Sequence, residues 1–91
     1  MKHYHLIKNV MGGSEIFDDN GNQVGYSLPS VIGEGEDFFA MDGTPVGQSF
    51  GTEGGEFFAG PDGAGFLDGE FLMGQNAFLD GDPFRTGEDG D

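Results

Sequence analysis

The sequence contains no cysteine and no tryptophan, and its only strongly basic side chains are Lys2, Lys8 and Arg85. Without cysteine the chain has no disulfide framework and no thiolate chemistry. Three Lys and Arg residues stand against 17 Asp and Glu, which gives a formal net charge of −14. Because phosphate contacts need Lys or Arg, direct binding to nucleic acid or to an anionic membrane surface is disfavoured. A basic protein partner is compatible with this charge.

Long apolar runs are also missing. The first ten residues, MKHYHLIKNV, lack the 7–15-residue apolar stretch of a secretory signal peptide. No segment has the roughly 20 apolar residues that a membrane-spanning helix requires. We therefore expect a cytoplasmic protein without a membrane partner, and an extracellular location stays open as the alternative.

Glycine and proline interrupt the chain too often for long helices. Gly alone accounts for 19 of the 91 residues, and no ten-residue stretch after Met11 lacks a Gly or a Pro. Because glycine disfavours helix interiors by about 1 kcal/mol relative to alanine, the composition predicts an all-β fold. We expect one domain over residues 1–85 with a core built mainly from the ten Phe residues. The acidic tail 86–91 is expected to be disordered.

An imperfect repeat of about twenty residues is the clearest pattern. Residues 13–25 read GSEIFDDNGNQVG, and residues 35–47 read GEDFFAMDGTPVG, at an offset of 22. A third copy is GGEFFAGPDGAGF at 54–66, and a degraded fourth is QNAFLDGDPF at 75–84. Each copy carries one Asx-Gly pair: Asn20-Gly21, Asp42-Gly43, Asp62-Gly63 and Asp80-Gly81.

Each repeat predicts a β-hairpin, because Asn-Gly and Asp-Gly readily adopt the backbone of tight hairpin turns. Gly25, Gly47 and Gly65 indicate bulges or close approaches of the backbone. Such short hairpins must pack on one another to be stable. We expect stacked hairpins in a β-solenoid-like arrangement, with a continuous antiparallel meander as the alternative.

Adjacent apolar pairs recur along the chain. They are Ile16-Phe17, Phe38-Phe39, Phe57-Phe58, Phe66-Leu67, Phe71-Leu72 and Phe78-Leu79. Since neighbours in a strand point to opposite faces, each pair puts apolar surface on both sides. The pattern therefore predicts a second layer of sheet or a second protomer, and we expect a homo-oligomer. Phe17, Phe39 and Phe58 are expected to form an inward ladder, with Phe38 and Phe57 facing a second layer or a partner.

The pattern G-x-E-x-F-F-x-x-D-G-x-x-V-G over residues 13–66 resembles the hairpin repeats of cell-wall and choline-binding modules. It is also similar to short glycine-rich hairpin-repeat proteins of bacteria. The resemblance implies stacked hairpins and an aromatic cage of Trp and Tyr from successive repeats, which binds a quaternary ammonium. This sequence departs from that cage, because it has no Trp and its only tyrosines are Tyr4 and Tyr26.

Two groups of residues are candidate metal ligands. Asp18 to Asn22 offer D-x-N-x-N oxygens like the start of a calcium loop, although Gln23 stands where that loop needs Gly. With stacking in register, Asn20, Asp42, Asp62 and Asp80 form a column that either stays hydrated or binds Ca²⁺. The candidate Ca²⁺ ligands are therefore Asp18, Asn20, Asp42, Asp62 and Asp80, and no other cofactor is expected.

His3 and His5 share one face of a predicted strand, as a pair of zinc ligands would. The plainer interpretation is an exposed terminal strand.

Residues 47–51, GQSFG, match the G-x-S-x-G elbow of serine hydrolases, but that elbow needs a strand–turn–helix unit and an α/β sheet. Ser49 also has a repeat equivalent in Ser27, which indicates a structural role. We therefore expect a non-enzymatic structural or interaction module that associates with itself. The alternatives are an acidic decoy that mimics nucleic acid and binds a basic protein, and a cell-wall or ligand-binding repeat module.

Overall fold

Eight antiparallel strands form one closed barrel in the computed structural model, which describes residues 2–31, 35–71 and 74–84. The strands are β1 (Lys2–Lys8), β2 (Ser14–Phe17), β3 (Gln23–Pro29), β4 (Glu36–Ala40), β5 (Pro45–Thr52), β6 (Gly55–Gly60), β7 (Gly63–Phe71) and β8 (Gly74–Gly81). Each strand pairs with the one before it, and β8 returns to pair with β1. The predicted tail 86–91 lies outside the described residues.

The all-β prediction is confirmed, and so is the antiparallel meander that was the alternative arrangement. The β-solenoid-like stack is wrong, because His3 pairs with Phe78 and Lys2 with Leu79 to close the sheet on itself. A solenoid and a meander are built from the same hairpin, so the repeat cannot distinguish them. Closure leaves no unpaired strand edge among these eight strands, whereas an open stack exposes two. Edge-to-edge pairing between copies is therefore not available to this sheet.

Three hairpin turns share one geometry. In each, an N–H donates to the carbonyl four residues on at 2.9 Å, and a glycine with positive φ precedes that carbonyl. The donor and glycine pairs are Asn9 with Gly12, Asp18 with Gly21, and Ala40 with Gly43. Two of the four predicted Asx-Gly corners therefore form the hairpins expected of them.

The other two Asx-Gly pairs behave differently. Gly63 already pairs with Gly60 in the sheet, so Pro61 and Asp62 form the turn between β6 and β7. Gly81, at φ 81°, ends β8 and leads into a short segment, Asp82 to Phe84. This segment makes no hairpin, and it carries Phe84 into the end of the barrel.

The core fills the barrel interior. The buried apolar side chains are Tyr4, Leu6, Ile16, Phe38, Ala40, Val46, Phe58, Leu67, Ala77, Leu79 and Phe84. An eight-stranded barrel has an interior just wide enough for its own side chains. Around Phe38, Phe58 and Phe84, the described side chains leave essentially no volume for a water molecule. These three are the phenylalanines among the eleven buried apolar side chains, so the expectation of a core built mainly from Phe is wrong for the described residues.

The predicted inward ladder is wrong for two of its three members. Phe38 and Phe58 point inward and are 2% and 1% exposed, with their rings 5.1 Å apart. Phe17 and Phe39 are only partly buried, and Phe39 stacks against Tyr26 instead.

The cause is a register difference of one residue between repeats. When the copies that begin at Gly35 and Gly54 are aligned, Phe57 falls opposite Phe38 and Phe58 opposite Phe39. In the structure, however, Phe38 and Phe58 face inward, whereas Phe39 and Phe57 face outward. A shift of one residue moves every side chain to the opposite face of a strand. The pairing of β2 with β3 is irregular after Ile16, and that of β4 with β5 is irregular after Phe38. The repeat pattern therefore does not by itself determine which face a residue occupies. Gly25 and Gly47 lie next to these irregularities, as predicted.

The two ends of the barrel differ in chemistry. We call one end the corner rim; it carries the turns 18–22, 41–44 and 61–62 together with residues 81–84. The buried Ser14, Ser27 and Ser49 lie toward the other end, and we call this the serine end. All four predicted Asx-Gly corners thus lie at one end, but around a ring. The described part of the chain contains no helix of the length and apolarity needed to cross a membrane.

Candidate functional site

A line of outward-facing phenylalanines crosses the outside of four consecutive strands. Phe50 pairs with Phe57, Phe57 with Phe66, and Phe66 with Phe78, so the four lie side by side across β5 to β8. We call these four residues the aromatic row. The Phe57 and Phe66 rings are 4.9 Å apart and edge-to-face, while Phe50 and Phe57 are 6.0 Å apart. Phe50, Phe66 and Phe78 are 42%, 46% and 41% exposed, a large fraction for rings of this size.

The apolar doublets account for the row. Three of its members are each followed by a buried apolar residue, namely Phe58, Leu67 and Leu79. Because successive side chains alternate between the faces of a strand, filling the interior from one member leaves the other outside. The doublets therefore place apolar surface on both faces of β6, β7 and β8, as their sequence pattern indicates. No second layer of sheet within the described residues covers the outer face.

An open groove runs along the aromatic row. Its walls are formed by Phe57, Phe66 and Phe78, with Gly54 and Asp80 near its ends. Gly54 contributes no side chain, and the nearest atoms to its missing Cβ are those of the Phe66 ring, 3.6 Å away. The groove is thus lined mainly by apolar side chains, with the carboxylate of Asp80 at the corner rim.

Two histidines and an aspartate meet beside the end of the row. His3 Nδ1 lies 2.8 Å from Asp19 Oδ1, and His5 Nε2 lies 3.7 Å from the same oxygen. One potential ligand atom from each of the three residues lies within 4.8 Å of the others. His3 also stacks on Phe78 of the aromatic row, with ring centroids 4.6 Å apart. The predicted sharing of one strand face by His3 and His5 is correct.

Sequence reasoning missed the third member of this cluster. Asp19 lies in the turn between β2 and β3, 16 residues from His3, and it reaches β1 because β1 and β2 are paired. The register of that pair, His5 opposite Phe17, places the start of the turn beside the histidines. The available signal was the hairpin itself, since an acidic turn after β2 must lie near the beginning of an antiparallel β1.

The predicted calcium ligands lie on separate turns of the corner rim. Asp18 Oδ1 accepts the backbone N–H groups of Asn20 and Asn22 at 2.9 and 3.0 Å. Asp42 Oδ1 accepts the N–H of Thr44 at 2.9 Å, and these hydrogen bonds lower the pKa of Asp42. These two carboxylates therefore stabilise their own turns.

The expected column is instead a ring. The turns at 18–22, 41–44 and 61–62 connect every second strand pair, so neighbours lie two strand spacings apart, about 10 Å. Among the described residues, the group of three ligand side chains that lie close together is His3, His5 and Asp19. Calcium binding at Asp18, Asn20, Asp42, Asp62 and Asp80 stays a prediction.

Ser49 lies in the middle of β5 and not on a strand-to-helix turn. Its hydroxyl donates to Glu56 Oε2 at 2.7 Å and accepts the backbone N–H of Glu36 at 3.2 Å. Ser27 repeats the arrangement: its hydroxyl donates to Glu36 Oε1 at 2.6 Å and accepts the N–H of Ser14 at 2.9 Å. The equivalence of these serines, expected from the repeat, is structural, and both tie neighbouring strands together at the serine end.

Fold and surface define a small, acidic, closed meander barrel with an apolar outer row. Neither a protein-family model, nor a curated protein, nor a solved structure matches this chain. The resemblance to choline-binding and glycine-rich hairpin repeats therefore stays a prediction.

Proposed function

We propose that the protein is a non-enzymatic structural or interaction module that associates with copies of itself through the aromatic row. The observation that carries the proposal is the alignment of Phe50, Phe57, Phe66 and Phe78 across four strands, with three of them more than two-fifths exposed. A contiguous apolar patch on a water-soluble surface is typical of an interaction site.

A second copy of the chain is the occupant that this surface fits best. The row crosses four neighbouring strands, so two copies related by a two-fold axis can bring its central residues, Phe57 and Phe66, into contact. Aromatic pairs contribute about 0.5–1.5 kcal/mol each beyond the burial of their area. The same surface on both partners needs no complementary basic side chain, and the described residues contain only Lys2 and Lys8 as strong bases.

Net charge gives the association a distinctive salt dependence. Two chains of −14 repel each other, and salt screens this repulsion over about 10 Å at 0.1 M. Self-association through the row should therefore strengthen as salt increases. Binding to a basic protein, the acidic-decoy alternative, should weaken under the same change.

Sedimentation equilibrium at two protein concentrations, each in low and high salt, tests the proposal. We expect a dimer or larger species that becomes more populated with salt. Phe66→Ser removes the centre of the row and should shift the population to monomer. Leu28→Ser is the matched control, because Leu28 is 42% exposed but lies on β3 outside the row. A wild-type monomer under all four conditions would contradict self-association.

The distribution of exposed carboxylates weighs against the acidic-decoy alternative. Exposed carboxylates occur at both ends, with Glu15 and Glu53 toward the serine end and Asp42, Asp62 and Asp80 at the corner rim. This scatter is typical of a solubilising surface, whereas a nucleic-acid mimic needs a stripe. Co-sedimentation with a basic protein in low salt that is lost in high salt, together with no self-association, would favour the mimic.

The ligand-binding alternative needs an aromatic cage. Tyr4 is buried, its hydroxyl donates to Asp82 Oδ1 at 3.3 Å, and Tyr26 lies nearly parallel to Phe39 at 5.3 Å. Two nearly parallel rings in contact leave no space between them for a quaternary ammonium. We expect no heat of binding for choline in isothermal titration calorimetry.

A further inference from the structure

We propose that His3, His5 and Asp19 bind one divalent transition-metal ion of the zinc type. The three ligand atoms are His3 Nδ1, His5 Nε2 and a carboxylate oxygen of Asp19. They come from one strand and one turn that β-sheet pairing brings together, and the site is independent of the proposed self-association. Nothing in the repeat requires this cluster, since the histidines occur in β1 alone.

The spacing suits a small ion. Zinc bonds of about 2.0–2.2 Å in tetrahedral geometry place two ligand atoms roughly 3.4 Å apart. Asp19 Oδ1 lies 2.8 Å from His3 Nδ1 and 3.7 Å from His5 Nε2, on either side of that value. The His3–Asp19 separation must widen by about 0.6 Å to reach that value. Asp19 lies in an exposed turn and is itself 63% exposed, so its side chain has room to move.

His3 is already oriented as a metal ligand. Its Nε2 lies 2.9 Å from Asn76 Oδ1 on β8, while its Nδ1 faces Asp19 Oδ1. Both ring nitrogens thus face oxygen acceptors, yet a neutral imidazole carries only one N–H. With Nε2–H donating to Asn76 Oδ1, the lone pair of Nδ1 points toward Asp19 Oδ1, which is where a metal ion shared by the two residues would lie. A hydrogen bond from the second ring nitrogen is the usual support of a metal-bound histidine.

The donor set selects the class of metal. Two imidazole nitrogens and a carboxylate suit zinc and its first-row neighbours, whereas Ca²⁺ and Mg²⁺ prefer six or more oxygen atoms. Three protein ligands leave a fourth position for water. The surrounding charge of −14 raises the local concentration of cations. An ion here joins β1 to the β2–β3 turn and, through Asn76, to β8, so it bridges the strands that close the barrel.

The test is a Zn²⁺ titration of tag-free protein, followed by calorimetry and by the thermal melting temperature. We expect one ion per chain and a rise in melting temperature, because a ligand that binds only the native state stabilises it. Substituting Co²⁺ should produce visible d–d absorption from an N/O ligand field. Ca²⁺ at the same concentration should change neither signal at this site.

Three variants and a control separate ligation from folding. His5→Gln and Asp19→Asn should each abolish the Co²⁺ absorption, and Asp19 lies in an exposed turn where the amide keeps the fold. Asn76→Ala should weaken Zn²⁺ binding about 10–100-fold, since it removes only the support of His3. Glu53→Gln changes an exposed carboxylate between β5 and β6, on the far side of the strand order from β1, and should bind like wild type. Absence of Zn²⁺ binding by wild-type protein, or equal binding by Asp19→Asn, would overturn the proposal.

Discussion

Gly25 of β3 lacks a side chain at the place where the Phe84 ring enters the barrel. A Cβ atom on Gly25 would lie 2.7 Å from Cδ1 of Phe84 and 2.4 Å from the carbonyl oxygen of Phe39. Phe84 itself contacts the rings of Tyr4 at 5.1 Å and Phe58 at 6.2 Å between centroids. The glycine is therefore required by the closing of this end of the barrel.

Alanine at position 25 should consequently destabilise the protein. Overpacking of a filled core costs typically 1–3 kcal/mol, and here a backbone carbonyl obstructs relief as well. Gly51→Ala is the matched control, because no atom lies within 4 Å of its added Cβ and its φ is not positive. Urea unfolding should show the loss for Gly25→Ala and a change within about 0.5 kcal/mol for Gly51→Ala. Equal effects would contradict the close approach to Phe84.

Removing the Phe84 ring should open a cavity in the barrel interior next to Phe38 and Phe58. Phe84→Ala is expected to cost about 3–5 kcal/mol, as for other buried phenylalanines, and Phe84→Leu distinctly less. Val31→Ala serves as the control, since Val31 is 94% exposed. The free energies of unfolding from urea titration decide the order. A Phe84→Ala variant as stable as wild type would show that residues 82–84 do not close the barrel in solution.

Loss of the Ser49 hydroxyl should leave two groups without their hydrogen bond at the serine end. The Glu36 N–H and the Glu56 carboxylate both bond to Ser49 Oγ, and these two hydrogen bonds are part-buried. Because a fully buried group left unpaired costs about 1–3 kcal/mol, we expect Ser49→Ala to be destabilised by about 1 kcal/mol, the lower end of that range. Gln48→Ala, an exposed neighbour on the same strand, should change little. A neutral Ser49→Ala would mean that water replaces the hydroxyl.

Stability should fall at alkaline pH because of Tyr4. Burial, followed by the negative charge and hydrogen bonding of Asp82, raises the pKa of Tyr4 well above its ordinary value. A group whose pKa is raised on folding contributes its full stability below its unfolded pKa, about 10, and loses it progressively as pH rises above that value.

Absorbance of the phenolate measures this effect directly. In a Tyr26→Phe background, Tyr4 is the one remaining tyrosine, and its ionisation should coincide with unfolding followed by circular dichroism. Tyr4→Phe should remove this part of the alkaline loss of stability. Ionisation of Tyr4 near pH 10 in a still-folded barrel would contradict the burial of its hydroxyl.

Much of the local structure could be predicted from short stretches of sequence. Asn20-Gly21 and Asp42-Gly43 form the expected turns, because the positive φ at Gly21 and Gly43 is a property of a few adjacent residues. The face of each phenylalanine could not be predicted in the same way. Phe38 and Phe57 are the first members of their aromatic pairs but lie on opposite faces of the sheet. The third copy has three residues between its aromatic pair and its Asx-Gly turn where the second has two, and a difference of one residue reverses the alternation.

The sequence by itself determined an all-β chain of repeated hairpins, with acidic turns at one end and apolar pairs along the strands. These properties depend on the conformational preferences of glycine and of Asx-Gly turns and on the alternation of a strand. Tertiary structure alone decided that β8 returns to β1. As a consequence, His3 contacts Asn76, 73 residues away, and its ring stacks on Phe78 of the aromatic row. Closure depends on the total twist and register of all eight strands, which no single repeat contains.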